Sequence, residues 1–142
     1  MAGYSATLLP RKLGIKPGHR VAVLNAEAGF KSELAPLPDE VTLHERLSGR
    51  EPLDVIILFA PQSRALARQL GPAARRLREN GGLWIAWPKK ASGRVTDLTE
   101  TEVRDSGLAL GLVDNKVCAV NDVWSGLRFV VPLAKRKSAP RR

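Results

Sequence analysis

Apolar residues in this chain come in short runs separated by polar turns, the pattern of a sheet whose strands alternate with helices. Residues 54–60 are a nearly uninterrupted run of Val, Ile, Leu and Phe, which is typical of a parallel strand covered on both faces. Arg20 to Asn25 is a second, mostly apolar strand that follows a Lys-Pro-Gly turn. The same reasoning predicts further strands over residues 41–47, 83–87, 115–120 and 127–133.

Helical periodicity is clearest over residues 62–80, where Leu66 and Leu70 begin a series of apolar residues at helical spacing. Gly71-Pro72 is expected to break or kink this helix, because proline removes a hydrogen bond and clashes with the preceding turn. Gly81-Gly82 is expected to end it.

A second helix is predicted from a capping box, in which Thr99 is followed three residues later by Glu102. It is expected to reach Leu110 and to stop at Gly111. A single helical turn is predicted near residues 31–34.

Strands alternating with helices predict an α/β fold with one doubly wound, mostly parallel sheet of five or six strands. Arg20 to Asn25 should be central, and the last two strands should form a hairpin that adds an antiparallel strand at one edge. The 142 residues fit one domain, which we place at residues 1–133. Residues 134–142 are expected to be a disordered basic tail.

The net charge of +9 predicts an anionic partner, either a small molecule or a nucleic acid. Five positive charges fall in the last eight residues, and subtracting them leaves +4 on the rest of the chain. The tail is therefore either a tether for a nucleic acid or another anionic surface, or merely solubilising.

Composition and apolar-run length predict a soluble protein. Apolar residues make up 44% and charged residues 26%, and the longest apolar run is too short to span a membrane. The first residues lack the pattern of a signal peptide, so we expect a cytoplasmic location. Cys118 cannot form an internal disulfide, and it is interpreted as a core thiol. His19 and His44 have no partner at metal-ligand spacing, so no metal site is expected.

The order of these elements resembles the class I methyltransferase fold, a Rossmann-like architecture. The resemblance includes a Pro-Gly-x-Arg-Val lead-in at residues 17–21, an Asp-Val strand at 54–55, Gly-Gly at 81–82 and a closing hairpin. The stretches LGIKPGHRV, WPKKASG, TDLTE and WSGLRFV look, more narrowly, like an uncharacterised bacterial family of unknown function. That narrower resemblance covers most of residues 3–133, and it implies a fold without an activity.

The methyltransferase pattern implies a binding loop for S-adenosylmethionine that this chain has altered. Val23 stands in place of an acidic residue, Asn25 and Glu27 stand in place of glycines, and Gly29 is kept. Because those glycines let the backbone approach the cofactor, we expect no cofactor, and S-adenosylmethionine is disfavoured. Glu45 falls where such folds place a ribose-binding acid, although an exposed strand-end glutamate explains it equally.

Several other candidates follow strands and should share the carboxyl edge of the sheet, where such folds bind ligands. They are Trp87, Lys89 and Lys90, together with Trp124 in the loop of residues 121–126. Two lysines could hold an anionic group and the tryptophans could stack on a flat ring. The alternative is ordinary, since exposed lysines are common and tryptophans usually fill cores.

Three classes of function follow. The first is a non-catalytic domain that binds an anionic ligand (a nucleotide, another small molecule or a nucleic acid) at the carboxyl edge of its sheet. The second is a divergent S-adenosylmethionine-dependent methyltransferase, and the third is an assembly module without a ligand. The Asn/Asp-Pro-Pro-aromatic signature of amino-methylating enzymes is absent from residues 59–62, which favours the non-catalytic interpretation. The fold alone cannot decide between the three.

Overall fold

The computed structural model of the chain describes residues 8–136 and contains one six-stranded sheet with helices on both faces. Two short 3₁₀ turns, Lys90–Ser92 and Leu133–Lys135, complete the elements. In chain order the helices and strands are α1 (Leu9–Lys12), β1 (Arg20–Leu24), α2 (Phe30–Leu34), β2 (Thr42–His44), β3 (Leu53–Phe59), α3 (Ser63–Arg76), β4 (Leu77–Pro88), α4 (Glu100–Ala109), β5 (Val113–Ala119) and β6 (Trp124–Val130).

The strands lie in the order β2-β1-β3-β4-β6-β5. Strands β2, β1, β3 and β4 are parallel, and β6 is antiparallel to both of its neighbours. This confirms the mostly parallel α/β fold and the interior position of β1. The expected position of the antiparallel strand was wrong, because β6 inserts between β4 and β5 instead of forming an edge. The edge strand β5 consequently runs in the same direction as β4.

The core has two layers because successive side chains of a strand point to opposite faces of the sheet. Ile56 and Leu58 of β3 belong to a buried cluster with α3 and α4, and Ile57 and Phe59 belong to a second cluster with α1 and α2. All four side chains are buried. A central strand covered on both faces therefore explains the continuous apolar run.

Helix α3 differs from the expected helix over residues 62–80 in two ways. It continues through Gly71-Pro72 without a break, and it ends at Arg76 instead of at the double glycine. The buried side chains Leu66, Leu70 and Ala73 keep its apolar face on the core across the proline. Packing of that face thus outweighs the one hydrogen bond that proline removes.

The early end of α3 reflects strand pairing that local sequence does not reveal. Leu77 is extended and pairs with Leu53, and Arg78 Nε donates to Asp54 Oδ1 at 2.8 Å. The register between the two strands then shifts at a bulge. A Cβ on Gly81 would lie 2.5 Å from the backbone oxygen of Asp54, so the bulge requires glycine there.

The capping box at the start of α4 is confirmed. The backbone N–H of Thr99 donates to Glu102 Oε1 at 3.0 Å, and Thr99 Oγ1 accepts from the backbone N–H of Glu102 at 3.4 Å. The helix ends within a residue of the predicted position, and Gly111 follows with a φ of +84°.

The expected basic tail lies mainly outside the described residues, which end at Arg136. The part that is described begins with a 3₁₀ turn, and Arg136 Nε donates to the backbone oxygen of Val131 at 2.9 Å. Within residues 8–136, no helix is long and apolar enough to cross a membrane.

Candidate functional site

The loop after β1 keeps a left-handed backbone at Asn25, where φ is +63°. Asparagine tolerates this conformation better than most residues do. Its side chain bridges two elements, because Nδ2 donates to the backbone oxygen of Phe59 at 3.1 Å and to Gln69 Oε1 at 2.5 Å. Gly29, with a φ of +94°, ends the loop and begins α2. The loop therefore keeps a glycine-like backbone but carries a side chain fixed to β3 and α3.

Glu27 is tied to two distant segments. Its carboxylate forms an ion pair with Arg94 and accepts a hydrogen bond from Trp124 Nε1 at 3.1 Å. The guanidinium of Arg94 also lies 5.8 Å from the ring centroid of Trp124. Hydrogen bonds from Arg94 and then Trp124 hold the pKa of Glu27 below its ordinary value. The negative charge of Glu27 is thus balanced by Arg94, and its side chain joins the loop to β6 and to the segment before α4.

Two clefts flank the carboxyl end of β1, one on each face of the sheet. The first, of about 440 Å³, lies beside α2, and the second, of about 400 Å³, lies beside α3. Both are large enough for a small molecule. Asn25 and Glu45 line both clefts. The first cleft is also lined by Glu27, Gly29 and Lys31, and the second by Arg46, Arg68 and Gln69.

Glu45 follows β2, which ends at His44 and not at Leu47 as expected, and it forms an ion pair with Lys31. Both side chains are more than half exposed, so the pair contributes at most about 1 kcal/mol and can open at little cost. Arg46 and Arg68 are exposed at the second cleft. Within residues 8–136, neither arginine has an ion pair or a side-chain hydrogen bond.

The other candidates lie elsewhere along the same edge. Lys89 is half-buried, and its backbone N–H donates to the backbone oxygen of Val123 at 2.8 Å, whereas Lys90 is exposed. Trp87 and Trp124 are only 6% and 3% exposed and belong to opposite faces of the sheet. The expected stacking platform for a base is therefore not open to solvent at either ring.

Sequence reasoning missed Lys31, Arg46, Arg68 and Arg94 as neighbours of the predicted residues. Arg46 could have been found, since it follows Glu45 at the end of a predicted strand. Arg94 could not, because its partner lies 67 residues away in the sequence.

The remaining titratable candidates do not form a site in the described part of the chain. No group of three or more His, Cys, Asp or Glu side chains there could hold a metal ion. His19 Nδ1 accepts from the backbone N–H of Lys16 at 3.1 Å, and His44 Nε2 is buried without a partner among the described residues. Burial raises the pKa of the Cys118 thiol, which makes it a poorer nucleophile.

Solved structures with similar folds include methyltransferases. The N-methyltransferase NodS from Bradyrhizobium japonicum WM9 matches with a TM-score of 0.61 and 16% identity, over 88% of this chain and 92% of that chain. Magnesium protoporphyrin IX methyltransferase from Synechocystis PCC 6803 matches with a TM-score of 0.58 and 12% identity, over 87% and 78%. Fibrillarin from Aeropyrum pernix, solved with natively bound S-adenosyl-L-methionine, matches with a TM-score of 0.57 and 14% identity, over 83% and 69%.

The topology and these similarities define a methyltransferase-like, Rossmann-like domain. The family described as "Protein of unknown function (DUF3052)" matches residues 11–133, and the chain belongs to that family. No curated protein matches its sequence. At 12–16% identity the solved structures establish the fold alone.

The first cleft fits the S-adenosylmethionine of such folds poorly. Asn25 and Glu27 stand at positions where the methyltransferase pattern has glycines, and both side chains are held by contacts within the protein. A cofactor that needs close approach to the backbone of this loop would have to displace them. Glu45, which lines the same cleft, has a carboxylate that can accept hydrogen bonds from hydroxyl groups.

Proposed function

We propose that this domain binds a small anionic ligand of the nucleotide type at the carboxyl edge of its sheet, and that it acts by binding instead of by methyl transfer. The observation that carries the proposal is the pair Arg46 and Arg68 in the cleft that also contains Asn25 and Glu45. Two arginines without a counterion among the described residues favour an anionic group such as a phosphate.

The neighbouring groups favour a ligand that also carries hydroxyls. The Glu45 carboxylate can accept hydrogen bonds from a ribose once its exposed ion pair with Lys31 opens. Gln69 lines the same cleft and offers a side-chain amide. A ligand that places a phosphate at the arginines and a ribose at Glu45 is a nucleotide.

The alterations around the first cleft support binding over catalysis. Glu27 is engaged by Arg94 and Trp124, so the loop that carries the methionine part of the cofactor in methyltransferases serves here to join three segments. The divergent methyltransferase and the ligand-free assembly module remain the competing functions, and the experiment below distinguishes them.

The experiment is titration calorimetry of the full chain with ADP, adenosine and S-adenosylmethionine. We expect ADP to bind more tightly than adenosine, because the arginines contact phosphate. Arg46→Gln and Arg68→Gln should each weaken ADP binding by about tenfold, the usual effect of losing one charged hydrogen bond. Arg64→Gln is the matched control. Arg64 is exposed and lies on α3, as Arg68 does, but it lines neither cleft.

Each competing function predicts a different result. Tighter binding of S-adenosylmethionine than of ADP would favour the methyltransferase. No heat and no thermal stabilisation with any of the three compounds would favour the assembly module. If Arg64→Gln and Arg68→Gln weakened ADP binding equally, the cleft lined by Arg46 and Arg68 would not be the binding site.

A further inference from the structure

The opposite, amino edge of the sheet carries a third cleft, of about 460 Å³, that is lined mainly by arginines. It lies where α3 ends and where β3 and β4 begin. The lining residues are Arg50, Pro52, Arg75, Arg76, Leu77, Arg78, Glu79 and Asn80. Neither the fold resemblance nor the proposed nucleotide site gives this edge a role.

Two of these arginines serve the fold. Arg76 donates to the backbone oxygens of Leu47, Ser48 and Glu51, and Arg78 forms an ion pair with Asp54 at 2.8 Å. They hold the loop before β3 and the start of β4 in place, so their guanidinium groups are already satisfied.

Arg50 and Arg75 are different, because both are exposed and neither has an ion pair or a side-chain hydrogen bond within residues 8–136. Of the acidic residues at this edge, Glu51 pairs with Arg20 at 2.9 Å and Asp54 pairs with Arg78, while Glu79 lines the cleft itself and is also engaged in an interaction. The positive charge of Arg50 and Arg75 is therefore available to a ligand.

Arg128 shares a sheet face with Trp84, opposite to the face that α3 covers, and is not among the residues that line this cleft. It lies on β6, packs over Gly82 of β4, and is half-buried without an acidic partner among the described residues. Burial, and then the charge of Arg136, lower its pKa. Arg128 is therefore not part of the cleft, which the described residues line with four arginines and one carboxylate, that of Glu79.

We propose that this amino-edge cleft, through Arg50 and Arg75, binds the phosphodiester backbone of a nucleic acid. Four arginines against one carboxylate give the described lining of the cleft the positive charge that attracts a chain of phosphates. None of the described residues that line the cleft is aromatic, so contacts to phosphate and not to bases carry the binding, which is independent of sequence.

The test uses the full chain and fluorescence anisotropy of a labelled single-stranded oligonucleotide and of the matching duplex, over a series of salt concentrations. Arg50→Gln/Arg75→Gln should weaken binding about tenfold and should lower the salt slope by about 1.5 to 2, one increment for each lost phosphate contact. Both residues are exposed, and an unchanged melting temperature would establish that the variant folds.

Two matched variants separate this surface from general charge. Arg11→Gln/Arg64→Gln removes the same charge from exposed residues outside the cleft and should change the affinity by no more than about twofold. The other variant tests the terminal basic residues: Lys137→Gln/Arg141→Gln/Arg142→Gln. The part of its salt slope that Arg50 and Arg75 contribute should remain.

The proposal is overturned if the Arg50/Arg75 variant binds as tightly as the Arg11/Arg64 variant, or if only the terminal variant loses affinity. Failure here is distinguishable from failure of the nucleotide site, because Arg46→Gln should leave oligonucleotide binding unchanged. Inorganic phosphate that competes with the oligonucleotide more strongly than sulfate does, at equal ionic strength, would indicate a small-phosphate site instead, and would also overturn the proposal.

Discussion

Trp124 Nε1 donates a hydrogen bond to Glu27 Oε1 at 3.1 Å, across 97 residues of sequence. Arg94 binds the same carboxylate. The loop after β1, the segment before α4 and the start of β6 are thereby joined at one side chain. The same ring packs edge-to-face on Phe59, with the centroids 5.0 Å apart, so the junction rests directly on the core.

The first prediction concerns the dependence of this junction on pH. The folded protein holds the pKa of Glu27 below its ordinary value, so the carboxylate contributes stability above the pKa of the unfolded chain and loses it as pH falls through the folded pKa. Glu27→Gln should therefore be less stable than the wild type near pH 7, by up to about 1 kcal/mol for a half-exposed pair. The difference should shrink at acid pH, as the pH falls through the folded pKa of Glu27 and its carboxylate is protonated.

Urea unfolding at the two pH values measures this difference. Glu40→Gln is the control, because Glu40 is exposed and has no ion pair or side-chain hydrogen bond among the described residues. A stability difference for Glu27→Gln that is the same at both pH values would contradict the assignment of the effect to ionised Glu27.

The second prediction concerns two glycines inside helices. Alanine in a helix interior usually stabilises by up to about 1 kcal/mol relative to glycine. A Cβ on Gly107 of α4 would collide with the buried ring of Phe129, whereas a Cβ on Gly71 of α3 would come no closer than 3.5 Å to the Arg75 side chain. Gly107→Ala should thus destabilise by about 1–3 kcal/mol, the usual cost of overpacking a core.

Gly71→Ala should cost less than Gly107→Ala, because the gain in helix propensity is offset only by the contact of its Cβ with the following Pro72, and thermal unfolding of both variants checks the pair. If both substitutions stabilised the protein, helix propensity alone would govern them, and the close approach of α4 to β6 would be wrong.

Much of the fold could be predicted because local sequence patterns indicate its helices and strands. The apolar run of β3 requires two covering layers, and the Thr99/Glu102 capping box starts α4 where expected. The end of α3 could not be predicted, since residues 77–80 are compatible with a helix and only their pairing with β3 makes them a strand.

The candidate site also contains some residues that local patterns predict and others that they do not. Asn25, Gly29 and Glu45 could be placed at the carboxyl edge because each follows a strand that the pattern reveals. The side chains that compensate or surround them come from elsewhere in the chain: Arg68 and Gln69 from α3, and Arg94 from the segment before α4. Because the partners lie tens of residues apart in the sequence, no local pattern indicates these contacts.

The third prediction is that S-adenosylmethionine binds weakly or not at all. Asn25 and Glu27 fill the loop that must approach the cofactor closely, and their hydrogen bonds to Phe59 and Trp124 would have to break. Titration calorimetry should give a dissociation constant weaker than about 1 mM, that is, less than about 4 kcal/mol of binding free energy. A micromolar constant would contradict the prediction and would favour the methyltransferase function.

The last prediction concerns Lys89 and Lys90, which follow β4 at the edge where such sheets bind ligands. Consecutive residues need not point the same way, and here Lys89 is half-buried beside Val123 while Lys90 is exposed. An exposed lysine is strongly screened, whereas a half-buried charge acts over a longer distance. Lys89→Gln should therefore weaken ADP binding by about two- to fivefold, and Lys90→Gln should change it by less.

Both effects should be smaller than that of Arg46→Gln, because neither lysine lines the clefts beside β1, and they should shrink further as salt is added. Calorimetry of the two single variants at low and high salt measures this. If both bind ADP as tightly as the wild type at low salt, the two lysines are solvated charges of the loop and the anion is held by the arginines alone. If Lys90→Gln has the larger effect, the ligand reaches past the clefts to the exposed end of this segment, and its anionic part lies nearer to β4 than to α3.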